Sequence, residues 1–133
     1  MKSEITDCGR AATKPQERAD CTVRAVSACM GITYEDAWSR MAEFGRGPRK
    51  RFKFSVAAEK FGLTRRPELS CKTLVAILPE LQSGRFIVRK SGHVFAVVNG
   101  VVIDMAAPKE RSRVQMVYEF APQPEIQRPE LCS

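Results

Sequence analysis

Cys21, His93 and Asp104 have the types and local settings that nucleophilic chemistry by a thiol requires. His93 is the only histidine of the chain. It opens Gly92-His93-Val94-Phe95-Ala96-Val97-Val98-Asn99-Gly100-Val101-Val102-Ile103-Asp104, two apolar runs joined by Asn-Gly. That dipeptide is the strongest short-range hairpin signal, because a type I′ turn needs positive φ at both central residues. A two-residue loop pairs Val98 with Val101, Ala96 with Ile103 and Phe95 with Asp104. Opposed residues share a face, and so do residues two apart along a strand. His93 and Asp104 are then diagonal neighbours with Cα atoms about 7–8 Å apart, within reach of one another.

The nucleophile expected to join them is Cys21. It follows Asp20, a good N-cap residue, and Gly31 stands where a helix running over 20–30 would end. Val23, Ala25, Val26 and Cys29 give that helix an apolar face. Cys21 falls in its first turn, where unpaired N–H groups and the positive end of the helix dipole favour a thiolate. A nearby histidinium would lower the thiol pKa further. Helix-start cysteine, strand histidine and next-strand carboxylate form the arrangement of a cysteine hydrolase.

The surrounding pattern places helices first and a sheet second. Thr33-x-x-Asp36 resembles a capping box, followed by Tyr34, Ala37, Trp38, Met41 and Ala42 at helical spacing. A short helix is expected at 54–61, stopped by Gly62. Leu63-Thr64 starts a short extended stretch. Ser70 is a candidate cap for a helix through Leu74, Ile77 and Leu78, ending near Pro79. Arg85–Arg89, the hairpin and Val114–Phe120 read as strands. Residues 1–15 read as an extended lead-in and residues 121–133, with three prolines, as a loose tail. The expected fold is α+β, N-terminal helices packed on a C-terminal antiparallel β-sheet, in one domain spanning 1–133.

With 133 residues, 44% hydrophobic and 28% charged, the chain can bury a core without disulfide staples. Five irregularly spaced cysteines lack a C-x-x-C pair, so neither a disulfide framework nor a zinc site is expected, and no metal or organic cofactor is implied. Reduced thiols fit a cytoplasmic protein. Cys29 and Cys71 read as small buried hydrophobes, and Cys8 and Cys132 as residues of flexible ends. The polar N-terminus has no apolar core segment of the signal-peptide kind, and the longest apolar runs are only strand-sized. The net charge of +7 fits an acidic partner or simply a soluble surface. Its densest contribution is Arg46 to Lys53. That segment reads either as a loop for an acidic protein or nucleic acid, or as a solvated loop whose Phe52 and Phe54 turn inward.

The series Asp20-Cys21-Thr22-Val23-Arg24-Ala25, then Gly84-Arg85-Phe86-Ile87-Val88, then Gly92-His93-Val94-Phe95-Ala96-Val97-Val98 through Asp104 resembles papain-like cysteine peptidases. The likeness is to minimal bacterial and phage-encoded members and to the bacteriocin-processing domains of export transporters, and it covers residues 16–120. It implies Cys21 as nucleophile, His93 as general base and acid, and Asp104 as the group that orients His93. It also implies an oxyanion-hole glutamine shortly before the cysteine, for which Gln16 is the only candidate. Gln16 stands five residues before Cys21, where many relatives have six. Asn99 lies in the turn, roughly 20 Å along the strand from His93, and is no triad member. Two functions remain open. One is hydrolysis or acyl transfer at a peptide, isopeptide or side-chain amide. The other is binding without turnover, through the basic surface, to a host protein or nucleic acid. A bacterial cell or phage-infected host would be the setting.

Overall fold

The computed structural model describes residues 1–13, 20–47 and 53–121. Within them the chain forms, in order, β1 (Lys2–Ile5), α1 (Arg10–Thr13), α2 (Cys21–Met30), α3 (Tyr34–Glu43), α4 (Phe54–Lys60) and β2 (Thr64–Arg65). A 3-10 turn at Pro67–Leu69, α5 (Leu74–Ile77) and a second 3-10 turn at Leu78–Leu81 follow. The chain then runs through β3 (Arg85–Lys90), β4 (His93–Val98), β5 (Val101–Asp104) and β6 (Val114–Phe120). The fold is α+β, with a six-stranded mixed sheet in the order β1-β5-β4-β3-β6-β2.

Helix α2 forms where the sequence places it. Val23, Val26 and Cys29 are fully buried on one face. The helix stops at Gly31, which takes a left-handed conformation (φ +69°) and donates its N–H to the Ser27 carbonyl. Thr33 caps α3 by accepting the Asp36 N–H on Oγ1, and Tyr34, Ala37 and Met41 are buried along its inner face. Ala42 turns outward.

The sheet is covered on both faces. Ile87, Val94, Ala96 and Tyr118 pack with buried residues of α2, α3 and α4. Phe86, Val88, Phe95, Val97, Val102, Val114 and Val117 pack with Leu69, Leu74, Ile77, Leu78 and Leu81 on the other side. This two-sided burial accounts for the continuous apolar runs of β3 and β4. Each fully buried Val or Ile removes enough apolar surface from water to contribute about 1.5–3 kcal/mol. The hairpin has the expected register: Val98 opposite Val101, Val97 opposite Val102 and Ala96 opposite Ile103. Asn99 and Gly100 have φ of +49° and +83°. The Asn99 side chain accepts the Gly84 N–H, a structural task at the turn.

Several expectations are corrected. The polar lead-in is not merely extended. Residues 2–5 form β1, parallel to β5, so the sheet is mixed rather than antiparallel. All four β1 side chains are exposed, so the strand is held through its backbone ladder and leaves no apolar pattern to read. Ser70 does not cap α5. Its hydroxyl donates to the Pro67 carbonyl, and α5 begins after Thr73. Helix α5 does end near Pro79, at Ile77, and Pro79 is the second residue of the 3-10 turn that follows, where its missing N–H costs nothing. Cys71 is exposed, in a turn at φ +65°, rather than buried in a helix. Cys8 is half-buried against α2, with its thiol donating to the Arg24 carbonyl, rather than lying in a loose end. Most of the basic run from Arg46 to Lys53, the tail beyond Ala121 and Cys132 lie outside the described residues. No helix among the described residues is long and apolar enough to cross a membrane.

Candidate active site

His93 is the first residue of β4 and Asp104 the last of β5. Strand alternation puts both in step with Phe95, Val97 and Val102. Their side chains meet as the hairpin register requires, with His93 Nε2 2.7 Å from Asp104 Oδ2. That contact leaves Nδ1 as the ring nitrogen available to a third group. Cys21, the first residue of α2, stands close enough that the His93 ring and the backbone N–H of Val94 both favour its thiolate. Helix α2 packs across β4, β3 and β5, so its first turn stands over the end of the sheet that carries the histidine. The structure thus brings Cys21, His93 and Asp104 together. Gln16 lies outside the described residues.

The ionisation of the three groups is coupled. Burial pushes the Cys21 thiol up. The His93 hydrogen bond, the Val94 N–H and the charges of His93 and Arg24 outweigh it and hold the thiol below its ordinary value. The Asp104 hydrogen bond and then the Cys21 hydrogen bond raise His93 to about 9, against the opposing effect of burial. Asp104 is also pushed up by burial. Hydrogen bonds from His93, the Met105 N–H and Arg24 bring it net below the usual carboxylate range. All three shifts run in the direction of thiolate, imidazolium and carboxylate. Those are the charge states of a thiol nucleophile whose base is already protonated.

Behind this row lies a buried ionic network that the sequence reading did not anticipate. Arg24 donates from Nη1 to Asp104 Oδ1 at 2.8 Å and from Nε to Asp20 Oδ1 at 3.1 Å. Asp20 also accepts the Tyr34 hydroxyl at 2.7 Å and Arg10 Nη1–H at 3.0 Å. Asp20, Asp104 and Arg24 are only 1%, 5% and 9% exposed. Asp20 precedes α2 as expected but makes no side-chain cap; its carboxylate turns inward to these partners. Burial pushes Asp20 up, and the Tyr34 and Arg24 hydrogen bonds more than reverse this. The signal was present in the sequence: Arg24 interrupts the apolar face of α2 four residues after Asp20. An arginine between Val23 and Ala25 on a buried face needs a partner. Among the described residues no buried side-chain polar atom lacks a hydrogen bond.

The remaining described thiols differ. Burial raises Cys29 to about 12 and Cys8 to about 11, so both stay protonated at neutral pH. No family model matches the chain, no curated protein matches its sequence, and no solved structure matches its fold.

Proposed function

We propose that the protein is a thiol hydrolase of the papain-like kind, cleaving a peptide, isopeptide or side-chain amide bond. The observation that carries this reading is the Cys21 thiol beside a His93 ring that Asp104 holds at 2.7 Å, with the cysteine in the first turn of a ten-residue helix. The papain-like likeness adds its weight through the same chain order, a helix bearing the thiol before a hairpin bearing histidine and carboxylate.

In this mechanism the Cys21 thiolate attacks the amide carbonyl carbon, and the π electrons move to oxygen to give a tetrahedral oxyanion. As the C–N bond breaks, imidazolium gives its proton to the departing amine, leaving a thioester on Cys21 and neutral His93. Neutral His93 then takes a proton from water, whose oxygen attacks the thioester. Collapse releases the carboxylic acid and restores thiolate and imidazolium. Asp104 accepts the Nε2–H throughout, which keeps the Nδ1 side of the ring toward the sulfur. An amine in place of water would give acyl transfer through the same thioester.

Alkylation by iodoacetamide as a function of pH, read by mass spectrometry at each cysteine, tests the activated thiol. Fast reaction of Cys21 well below pH 8.5 that is lost in His93→Ala supports the reading. Incubation with a mixture of peptides, comparing new termini and released ammonia between the wild type and Cys21→Ala, tests turnover. A Cys21 no more reactive than Cys71 refutes it and favours the second reading. In that reading the net charge of +7 binds an acidic protein or nucleic acid without turnover.

A further inference from the structure

We propose that Arg24 is a positioning residue of this site, a fork that fixes the distance and angle between the thiol-bearing helix turn and the carboxylate that orients the histidine. The proposal rests on the hydrolase reading of Cys21 and His93.

Asp104 has two oxygens with different duties. Oδ2 meets His93 Nε2, whereas Oδ1 takes Arg24 Nη1–H and the Met105 N–H. With both oxygens engaged, the carboxylate cannot rotate without breaking a bond to a buried cation. The other arm of the same guanidinium, Nε, holds Asp20, the residue immediately before Cys21. Arg24 itself is one turn beyond Cys21 on α2. One rigid, planar group therefore ties the start of α2 to the end of β5. A lysine ammonium has no fork to span two carboxylates in this way.

The anchor is itself held. Asp20 Oδ2 takes the Tyr34 hydroxyl from α3, and Oδ1 takes Arg10 from α1. The Arg24 backbone carbonyl accepts the Cys8 thiol. The groups that face Arg24 are thus Asp20, Asp104, Cys8 and, through its charge, Cys21, with Arg10 and Tyr34 behind Asp20. An arrangement serving the helix alone would need only the Asp20–Arg24 pair. The 2.8 Å contact to Asp104 connects it to the residue that His93 uses.

His93 is the sole histidine, so its ring resonances report one titration without assignment by mutagenesis. The experiment follows that titration by NMR and the pH profile of Cys21 alkylation in wild type, Arg24→Gln and Arg24→Lys. Loss of positioning lowers the His93 inflection by at least about one pH unit and slows Cys21 alkylation at pH 6.5 at least about tenfold, in both variants. A role of charge alone gives a different pattern. Arg24→Gln would then raise the inflection, because imidazolium loses a repelling neighbour, and Arg24→Lys would leave it unchanged. That pattern, or unchanged values in folded variants, overturns the proposal while leaving the hydrolase reading intact. If Arg24→Gln does not fold, Arg24→Lys decides alone, since it keeps the charge and removes the fork. A wild-type Cys21 without an activated thiol at neutral pH refutes the hydrolase reading, and the positioning role falls with it.

Discussion

Replacing Asp104 by asparagine separates the orienting carboxylate from the rest of the site. In the wild type His93 is raised from 6.5 to about 9, with the Asp104 hydrogen bond the largest cause and the Cys21 hydrogen bond next. At about 1.4 kcal/mol per pH unit, the rise corresponds to about 3 kcal/mol in favour of imidazolium. Asparagine removes the negative charge, while burial and the now unbalanced Arg24 both disfavour the protonated ring. The His93 inflection is expected to fall below about 7. The asparagine amide can also donate to Nε2, which stabilises the tautomer with a proton on Nδ1, the wrong one for accepting a proton from Cys21. Without imidazolium the thiol returns toward an ordinary pKa of about 8.5, where about 1% is ionised at pH 6.5, so alkylation there slows on the order of 10–100-fold. Stability changes with pH in a matching way. A group whose pKa is raised by folding stabilises the native state below its unfolded value and ceases to as pH rises through the folded value. His93 therefore contributes fully below 6.5 and loses its contribution through about pH 9. Asp104, lowered by folding, contributes above the unfolded carboxyl value and loses its contribution on acidification. The stability advantage of wild type over Asp104→Asn should therefore be widest between these limits and narrow on both sides. The assays are ring NMR of His93, site-resolved alkylation, and denaturation across pH. A folded Asp104→Asn protein whose His93 still titrates near 9 would refute the reasoning, as would a wild-type His93 that titrates near 6.5.

Tyr34→Phe removes one hydrogen bond to the buried Asp20 carboxylate without leaving it unpaired, and should cost about 1.5–3 kcal/mol in urea denaturation. Ile87→Ala empties a fully buried position in the middle of β3, with an expected loss of about 2–5 kcal/mol by the same assay; a loss under 1 kcal/mol would show that the α2–sheet contact closes over the gap. At Gly100 the φ of +83° is unfavourable to an L side chain, and a Cβ would stand 2.7 Å from Gln82 Oε1. Gly100→Ala should therefore cost about 1–2 kcal/mol, chiefly from backbone strain because Gln82 is exposed and can swing aside, and thermal denaturation would reveal it.

The parts of the fold that were legible in the sequence are those where one local pattern decides the outcome. Asn99-Gly100 set the hairpin register, and with it the meeting of His93 and Asp104, because turn type and a period of two leave a single solution. Thr33 and Gly31 marked helix ends through caps that depend on neighbouring residues only. What escaped depends on partners distant in sequence. β1 joins the sheet some 100 residues away from β5 and has no buried side chain to announce it. Arg24 reaches Asp104 across 80 positions. Asp20 showed the same limit in miniature: its type and place suited an N-cap, but side-chain donors from Arg10 and Tyr34, together with Arg24 one turn on, offered its buried carboxylate more than one helix N–H could. Cys71 was misplaced because the helix begins at Leu74 rather than at Ser70, which leaves the thiol in a turn.

The cysteines show which features confer reactivity here. Cys8, Cys21 and Cys29 are all removed from water to some degree, and burial raises each of them. Cys8 has Arg24 nearby, as Cys21 does, yet it stands at about 11 because burial outweighs the guanidinium, which Asp7, Asp104 and Glu4 also oppose. Cys29 has the Arg85 charge alone against a deeper burial and reaches about 12. A neighbouring cation is thus insufficient to ionise a buried thiol in this protein. Cys21 differs in having the His93 ring and the Val94 N–H close to the sulfur, where both favour the thiolate. Direct donation to the charged form offsets desolvation where a more remote charge does not. The same donors require β4 to begin where the first turn of α2 ends its approach to the sheet. The chemistry of the thiol is therefore set by the packing of α2 on β4 as much as by the three residues that carry it.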